Sequence, residues 1–311
     1  MFKGEGTLAP CHECHTCRAT RNEQPRVARR QPERANQHTT VDSSGPYRVQ
    51  GSRGERYFLN WMCKMFNYPT TDCPRVKSQF LQLLKNYSAR CDRENSPIEL
   101  LSMDPGSEGK SGPVLEFTTE AGIQLEFGSP GCHESIGGIE NYNDRQLKCS
   151  KCWMHRGNAS ATFLYWSGRH FTTVTRILPA SSQPGSSPME RKKKFIDPSI
   201  LSAVRIPYTL GWMLLNPDVH RDKQAAPNAV PVILLAMSDT MKDGWHVLVI
   251  STRRLAESSN IKSDETIFPF ADKTVWKSLG LDLGVPMEVS LDPNTRGEDE
   301  DGPASSLRPE A

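Results

Sequence analysis

The chain has 311 residues, with 38 Lys and Arg against 36 Asp and Glu, for a formal net charge of +2. That length allows one large domain or two small ones, and 23 prolines with 22 glycines require much loop or disorder. No apolar run approaches the ~20 residues that span a bilayer, and the opening MFKGEGTLAP lacks the apolar centre of a secretory signal. The reading is therefore of a protein of the nucleus or cytoplasm, not secreted and with no membrane partner. In a reducing compartment its nine cysteines point to metal ligation rather than disulfides.

Residues 1–52 read as a disordered basic segment carrying one Cys/His cluster. Cys11, Cys14, His15 and Cys17 fall within seven residues and form a secondary candidate zinc set. Three cysteines at i, i+3 and i+6 resemble the first half of a fungal-type binuclear zinc cluster; no second triplet follows, so no function is carried over. Arg18, Arg21, Arg26, Arg29, Arg30 and Arg34 come next, among Gln, Pro and Asn. Such a stretch cannot fold alone and could lie along the phosphates of DNA or RNA.

Residues 53–178 read as a helical hairpin followed by β-hairpins around a zinc site. Tyr57, Phe58, Trp61, Met62, Met65 and Phe66 recur with helical spacing. Pro69 ends that helix, and Val76, Phe80, Leu83, Leu84 and Tyr87 line a second one. Gly106–Ser111 ends like a phosphate-binding loop, but Asp104 stands where Gly is needed, and Gly112-Pro113 oppose a helix beginning at Lys110. The acidic strand to match it would be Val232–Asp239. Leu115 and Phe117, then Ile123, Leu125 and Phe127, alternate with polar residues as in a β-hairpin, and residues 161–178 are read the same way.

Between those hairpins lies CHESIGGIENYNDRQLKCSKCWMH. Cys149 and Cys152 form a C-x2-C pair, His155 follows three residues later, and Cys132 precedes them across Gly137 and Gly138. Cys132, Cys149, Cys152 and His155 make the Cys3His inventory of a closed structural zinc site. Such a site would staple the hairpins together, with metal binding acting as folding energy.

Residues 179–194 read as a Ser/Pro/Gly linker ending in Arg191, Lys192, Lys193 and Lys194, a candidate nuclear-import run. Residues 195–292 regain folded character. Val230–Met237 and Trp245–Ile250 look like paired strands joined through Asp243-Gly244. Residues 293–311 form an acidic tail expected to be disordered.

The fold class expected is α+β: an N-terminal helical hairpin, zinc-stapled antiparallel β-hairpins, further mixed C-terminal strands and disordered termini. No Ser/His/Asp or paired-carboxylate set stands out, and a closed zinc site has no open position for catalytic water. The function expected is a nuclear zinc-binding regulatory protein that contacts nucleic acid or chromatin through basic segments, with other nuclear proteins as further partners. The alternatives are a zinc-stapled protein–protein interaction module without a nucleic-acid role, and a nucleotide-binding enzyme with a degenerate phosphate loop.

Overall fold

The computed structural model describes residues 32–104, 109–128, 137–179, 185–194, 197–215 and 228–278. They form a mixed α+β architecture of two five-stranded sheets and several helices. The first sheet holds β1 (His38–Ser44), β2 (Phe58–Cys63), β3 (Tyr68–Asp72), β4 (Leu100–Met103) and β5 (Gln124–Phe127), in the order β3-β2-β1-β4-β5. β1, β2 and β3 run antiparallel, while β4 and β5 run parallel to β1.

α1 (Phe80–Arg93) and α2 (Gly112–Glu120) cover one face, closing a core of Trp61, Leu84, Leu101, Val41 and Val114. The other face is covered by α3 (Gly137–Gly157) and α4 (Leu164–Ile177), which pack Ile139, Tyr142 and Phe171 against Met62. α4 also serves a second sheet of β6 (Leu210–Leu214), β7 (Ala229–Met237), β8 (Trp245–Val249), β9 (Arg254–Ser258) and β10 (Ile261–Asp264), wholly antiparallel in the order β10-β6-β7-β8-β9. It lies between β3 of one sheet and β7 of the other. Gly168 makes the approach possible, because a Cβ there would sit 2.3 Å from the Phe58 ring. Asp239, beyond β7, ties the layers together by pairing with Arg176 at 2.9 Å and Arg169 at 3.6 Å on α4. Three short helices follow among the described residues: α5 (Pro188–Lys193), α6 (Pro198–Ala203) and α7 (Lys273–Ser278).

Several sequence expectations are corrected. The segment expected to be disordered contains the central strand β1. Its polar letters hide β-branched Thr39, Thr40 and Val41, all buried and paired on both sides. The helical hairpin is half right: α1 is its second helix, but its first is the β2–β3 pair. Every residue of β2 is buried, and a strand covered on both faces reads as a continuous apolar run with no period of two.

The hairpin expected at 114–127 is α2 followed by β5. Pro113 opens α2, where its missing N–H costs nothing, and Gly122 ends the helical stretch with φ +67. The hairpin expected at 161–178 is α4. Two sheets flank this helix, so it is buried nearly all round, and its buried positions include the polar Ser167, His170, Thr172 and Thr173. The expected linker contains α5, whose capping box joins Ser187 and Glu190. The two C-terminal strands appear as β7 and β8. The cluster at Cys11–Cys17 and the acidic tail lie outside the described residues.

Candidate functional site

β1 and β4 run side by side with Val41 opposite Met103. The next residue on each strand is an acid: Asp42 on β1 and Asp104 directly after β4. Neighbouring strands lie about 4.8 Å apart, so continuing the register sets these two carboxylates beside one another. Asp104 is exposed and Asp42 half-buried, and both line a cleft of about 200 Å³ shared with Tyr57, Lys77 and Phe80.

α3 brings a third acid. Glu140 lies in its first turn, one turn before Asn143. Asn143 Nδ2 donates to Asp42 Oδ2 at 2.6 Å, while Asn143 Oδ1 accepts from Asn60 Nδ2 at 2.7 Å. The helix is locked at this depth by a buried polar network. Gln146, fully buried, accepts from Asn60 at 2.8 Å and donates to Thr71 and to the Gly168 carbonyl, each at 3.1 Å. Tyr142 reaches Thr172 at 2.7 Å. Such a network permits one placement of the helix, because any slip leaves buried polar groups unpaired.

Burial pushes the Asp42 carboxyl up to about 6, and the charges of Asp104 and Glu140 push the same way, against the Ser43 amide and Asn143. The fold therefore holds three mutually repelling carboxylates at one sheet end and supports one of them with an amide. They sit within electrostatic reach rather than ligating reach: among the described residues no three His, Cys, Asp or Glu side chains are grouped closely enough to hold a metal ion. Two adjacent carboxylates suit Mg²⁺, which keeps several waters and is commonly held by one or two carboxylates together with substrate phosphates.

The residues singled out from sequence are placed differently. Cys149, Cys152 and His155 occur at i, i+3 and i+6 along the C-terminal half of α3, with His155 in its last turn, instead of at a loop. The Cys152 and His155 side chains are exposed and Cys149 is half-buried. Burial and the neighbouring Cys152 raise the Cys149 thiol. Cys132 lies outside the described residues, so the full set is not brought together here. Arg18, Arg21, Arg26, Arg29 and Arg30 also lie outside them. Arg34 is engaged, pairing with Glu99 and donating to the Pro97 carbonyl at 2.7 Å. In the basic run, Arg191 donates to the Phe66 carbonyl at 2.9 Å and Lys192 pairs with Glu94 at 2.7 Å, leaving Lys193 and Lys194 exposed.

The phosphate-loop expectation fares unevenly. A helix does begin after Ser111, contrary to the objection from Gly112 and Pro113, but Lys110 rests over the Phe127 ring at 5.4 Å. β7, the strand meant to carry the matching acid, belongs to the second sheet while the loop follows β4 of the first. Asp42, Asp104 and Glu140 were missed as a set. The available signal was local: an acid immediately follows the buried runs Thr39–Val41 and Leu100–Met103.

No protein-family model matches the chain, and no curated protein matches it. Among solved structures it is similar to the integrase catalytic core domain of HTLV-2 in complex with magnesium, at 12% identity and a TM-score of 0.40, over 51% of this chain and 98% of that one. At that score the likeness assigns neither a family nor an activity to this chain.

Proposed function

We propose that this protein catalyses divalent-cation-dependent phosphoryl transfer on nucleic acid, with Asp42 and Asp104 holding the cation and Glu140 completing the acidic site. The observation that carries this reading is the β1–β4 register, which sets two carboxylates side by side at the strand ends, with the third acid fixed through Asn143. A bound Mg²⁺ or Mn²⁺ would polarise a phosphoryl oxygen and lower the pKa of a bound water. The chain's own residues supply the rest. Asn143 and the Asn60–Gln146 network set the direction of Asp42 and the depth of Glu140, and the cleft walls Tyr57, Lys77 and Phe80 border the two aspartates.

The exposed side of α3 favours a polyanionic substrate. Beyond Glu140 it presents Arg145, Lys148 and Lys151, of which Lys148 pairs with Asp144 at 2.7 Å. A basic stripe leading from an acidic centre lets phosphates lie along the helix while one phosphodiester reaches the cation.

The test is cleavage of a labelled duplex and a single strand by the full chain in Mg²⁺, in Mn²⁺ and in EDTA. The expected result is cation-dependent cleavage by the wild type, with Asp104→Asn and Glu140→Gln each down by at least a hundredfold at unchanged thermal stability. Equal cleavage by wild type and both variants, or none by any of them, would overturn it.

Structural zinc bound by Cys132, Cys149, Cys152 and His155 stays a separate proposal, resting on the C-x2-C-x2-H spacing of the sequence, since the three described members spread over about 9 Å of α3 and are not grouped to hold an ion. Zinc content per chain, for wild type and Cys149→Ser, decides it. The regulatory role expected from sequence shares the nucleic-acid partner, and no described helix is long and apolar enough to cross a membrane.

A further inference from the structure

A second cleft, of about 360 Å³, adjoins the carboxylate cleft, and Pro74 lines both. Its lining includes three guanidinium side chains, Arg53, Arg75 and Arg169, and two carboxyl side chains, Glu55 and Asp72, with Gln79 and Gln82. Two of the three are held by one ring: the guanidinium carbons of Arg53 and Arg169 lie 4.9 and 5.6 Å from the Trp166 ring centroid. Trp166 is buried, and its Nε1 donates to Ser52 Oγ at 2.8 Å, so the platform beneath the two arginines is fixed.

The two lining carboxylates, Glu55 and Asp72, are engaged away from the Arg53 and Arg75 side chains. Glu55 is buried, and its carboxylate accepts from the Arg53 backbone amide at 2.8 Å. Asp72 accepts from Trp61 Nε1 at 2.8 Å, and burial holds its carboxyl above the usual range. Arg169 shares Asp239 with Arg176. Among the described residues, no carboxylate forms an ion pair with the Arg53 or Arg75 side chain. The Gln79 amide oxygen accepts from the Arg75 backbone amide at 2.7 Å, which leaves its amide hydrogens as donors. Planar, permanently charged donors converging on a concave surface match the oxygens of a phosphate.

We infer that the Arg53–Arg75–Arg169 cleft binds a backbone phosphate of the same nucleic-acid strand whose scissile phosphodiester is presented to Asp42 and Asp104. The inference rests on the phosphoryl-transfer reading for its substrate. It adds a strand path that leaves the carboxylates on the β3 side, past Pro74. The cleft positions substrate and touches no reacting atom.

The test is fluorescence anisotropy of a labelled 20-nucleotide single strand and of the matching duplex, titrated with salt in EDTA so that no cation contributes. Each phosphate contact contributes about 0.7–0.9 to the slope of log K against log salt. Arg53→Gln/Arg75→Gln should flatten that slope by about 0.7–0.9, the loss of one phosphate contact, and weaken binding at low salt by tenfold or more. Lys193→Gln/Lys194→Gln, at the end of α5 and outside the cleft lining, should change neither. Should the double variant fail to fold, as judged by its melting curve, Arg75→Gln alone decides the matter with the same direction of slope change, of at most about 0.7–0.9.

Identical slopes and affinities for wild type and the folded arginine variant overturn the inference. So does competition by inorganic pyrophosphate at an arginine-dependent site when oligonucleotide binding is arginine-independent, since the cleft would then serve free phosphates. Cleavage assays separate the two readings. Arginine-dependent binding by a wild type that cleaves nothing sinks the catalytic reading alone, whereas cleavage with arginine-independent binding sinks this inference alone.

Discussion

Replacing Asp42 by Asn should make the cation-free protein more stable while removing its response to divalent ions. The Asp42 carboxyl is held at about 6 against an ordinary 3.8, because burial and the nearby Asp104 and Glu140 disfavour its charged form. A shift of that size amounts to about 3 kcal/mol, and partial exposure of the side chain discounts it to about 1–2 kcal/mol. The sign follows from proton linkage: between pH 3.8 and about 6 the folded state holds the proton more tightly than the unfolded state, so stability falls as pH rises through that window and stays low above it. Asn keeps an oxygen to accept from Asn143 and carries no charge.

Thermal unfolding at pH 8 in EDTA should therefore show Asp42→Asn about 2–8 °C above wild type, and the gap should close as the pH falls toward 4. Mg²⁺ at ten times its Kd should raise the wild type by about 1.4 kcal/mol and leave the variant unmoved. A variant less stable than wild type at pH 8, a gap independent of pH, or equal cation responses would refute the reasoning.

Gln146→Ala removes the centre of the network between α3 and the first sheet, leaving buried partners such as the Asn60 and Thr71 side chains short of a hydrogen bond. Denaturant unfolding should show a loss of about 2–4 kcal/mol, and any residual activity should fall with Glu140 misplaced. Gly168→Ala forces a methyl into the buried Phe58 ring and should cost at least about 1–3 kcal/mol, read from the same unfolding curves. His170 is buried between Trp153 and Trp245, and its Nδ1 accepts from the Met237 amide at 3.4 Å. Burial depresses its pKa from 6.5 to about 3. Its contribution is thus fully present above pH 6.5 and is lost as pH falls toward 3. Between pH 7 and 5 the stability difference between wild type and His170→Gln should narrow by about 2 kcal/mol in urea titrations.

How much was legible in the sequence follows from how each element is buried. β7 and β8 were readable because both are compact apolar runs bounded by polar residues and an Asp-Gly turn. α1 was readable because only one side of it is covered, so Phe80, Leu84 and Tyr87 keep a helical period. β2 was not, since it is enclosed on both faces and an alternating pattern marks only half-buried strands. β1 and α4 failed for another reason: their buried threonines, and in α4 also Ser167 and His170, count as polar in any hydropathy pattern.

The carboxylate site shows the same limit more sharply. Asp42 and Asp104 are far apart in the chain, and only the pairing of β1 with β4 makes them neighbours. Glu140 was hidden in a polar stretch whose cysteines drew attention to zinc. The partnership of Asn60, Asn143 and Gln146 carries no composition signal at all, because three amides become a site support only once they are dry and facing one another.

The placement of α4 decides how this protein can be dissected. Tyr165 and Phe171 face the first sheet's side while Phe163 and Trp166 pack into the second sheet's core. A fragment ending near residue 180 would keep every carboxylate yet bare an aromatic wall to water, inviting aggregation. The shortest expressible piece bearing the acidic centre therefore has to retain β6 through β9, and attempts to isolate the first sheet by truncation should give insoluble material even though no proposed ligand of the cation is missing.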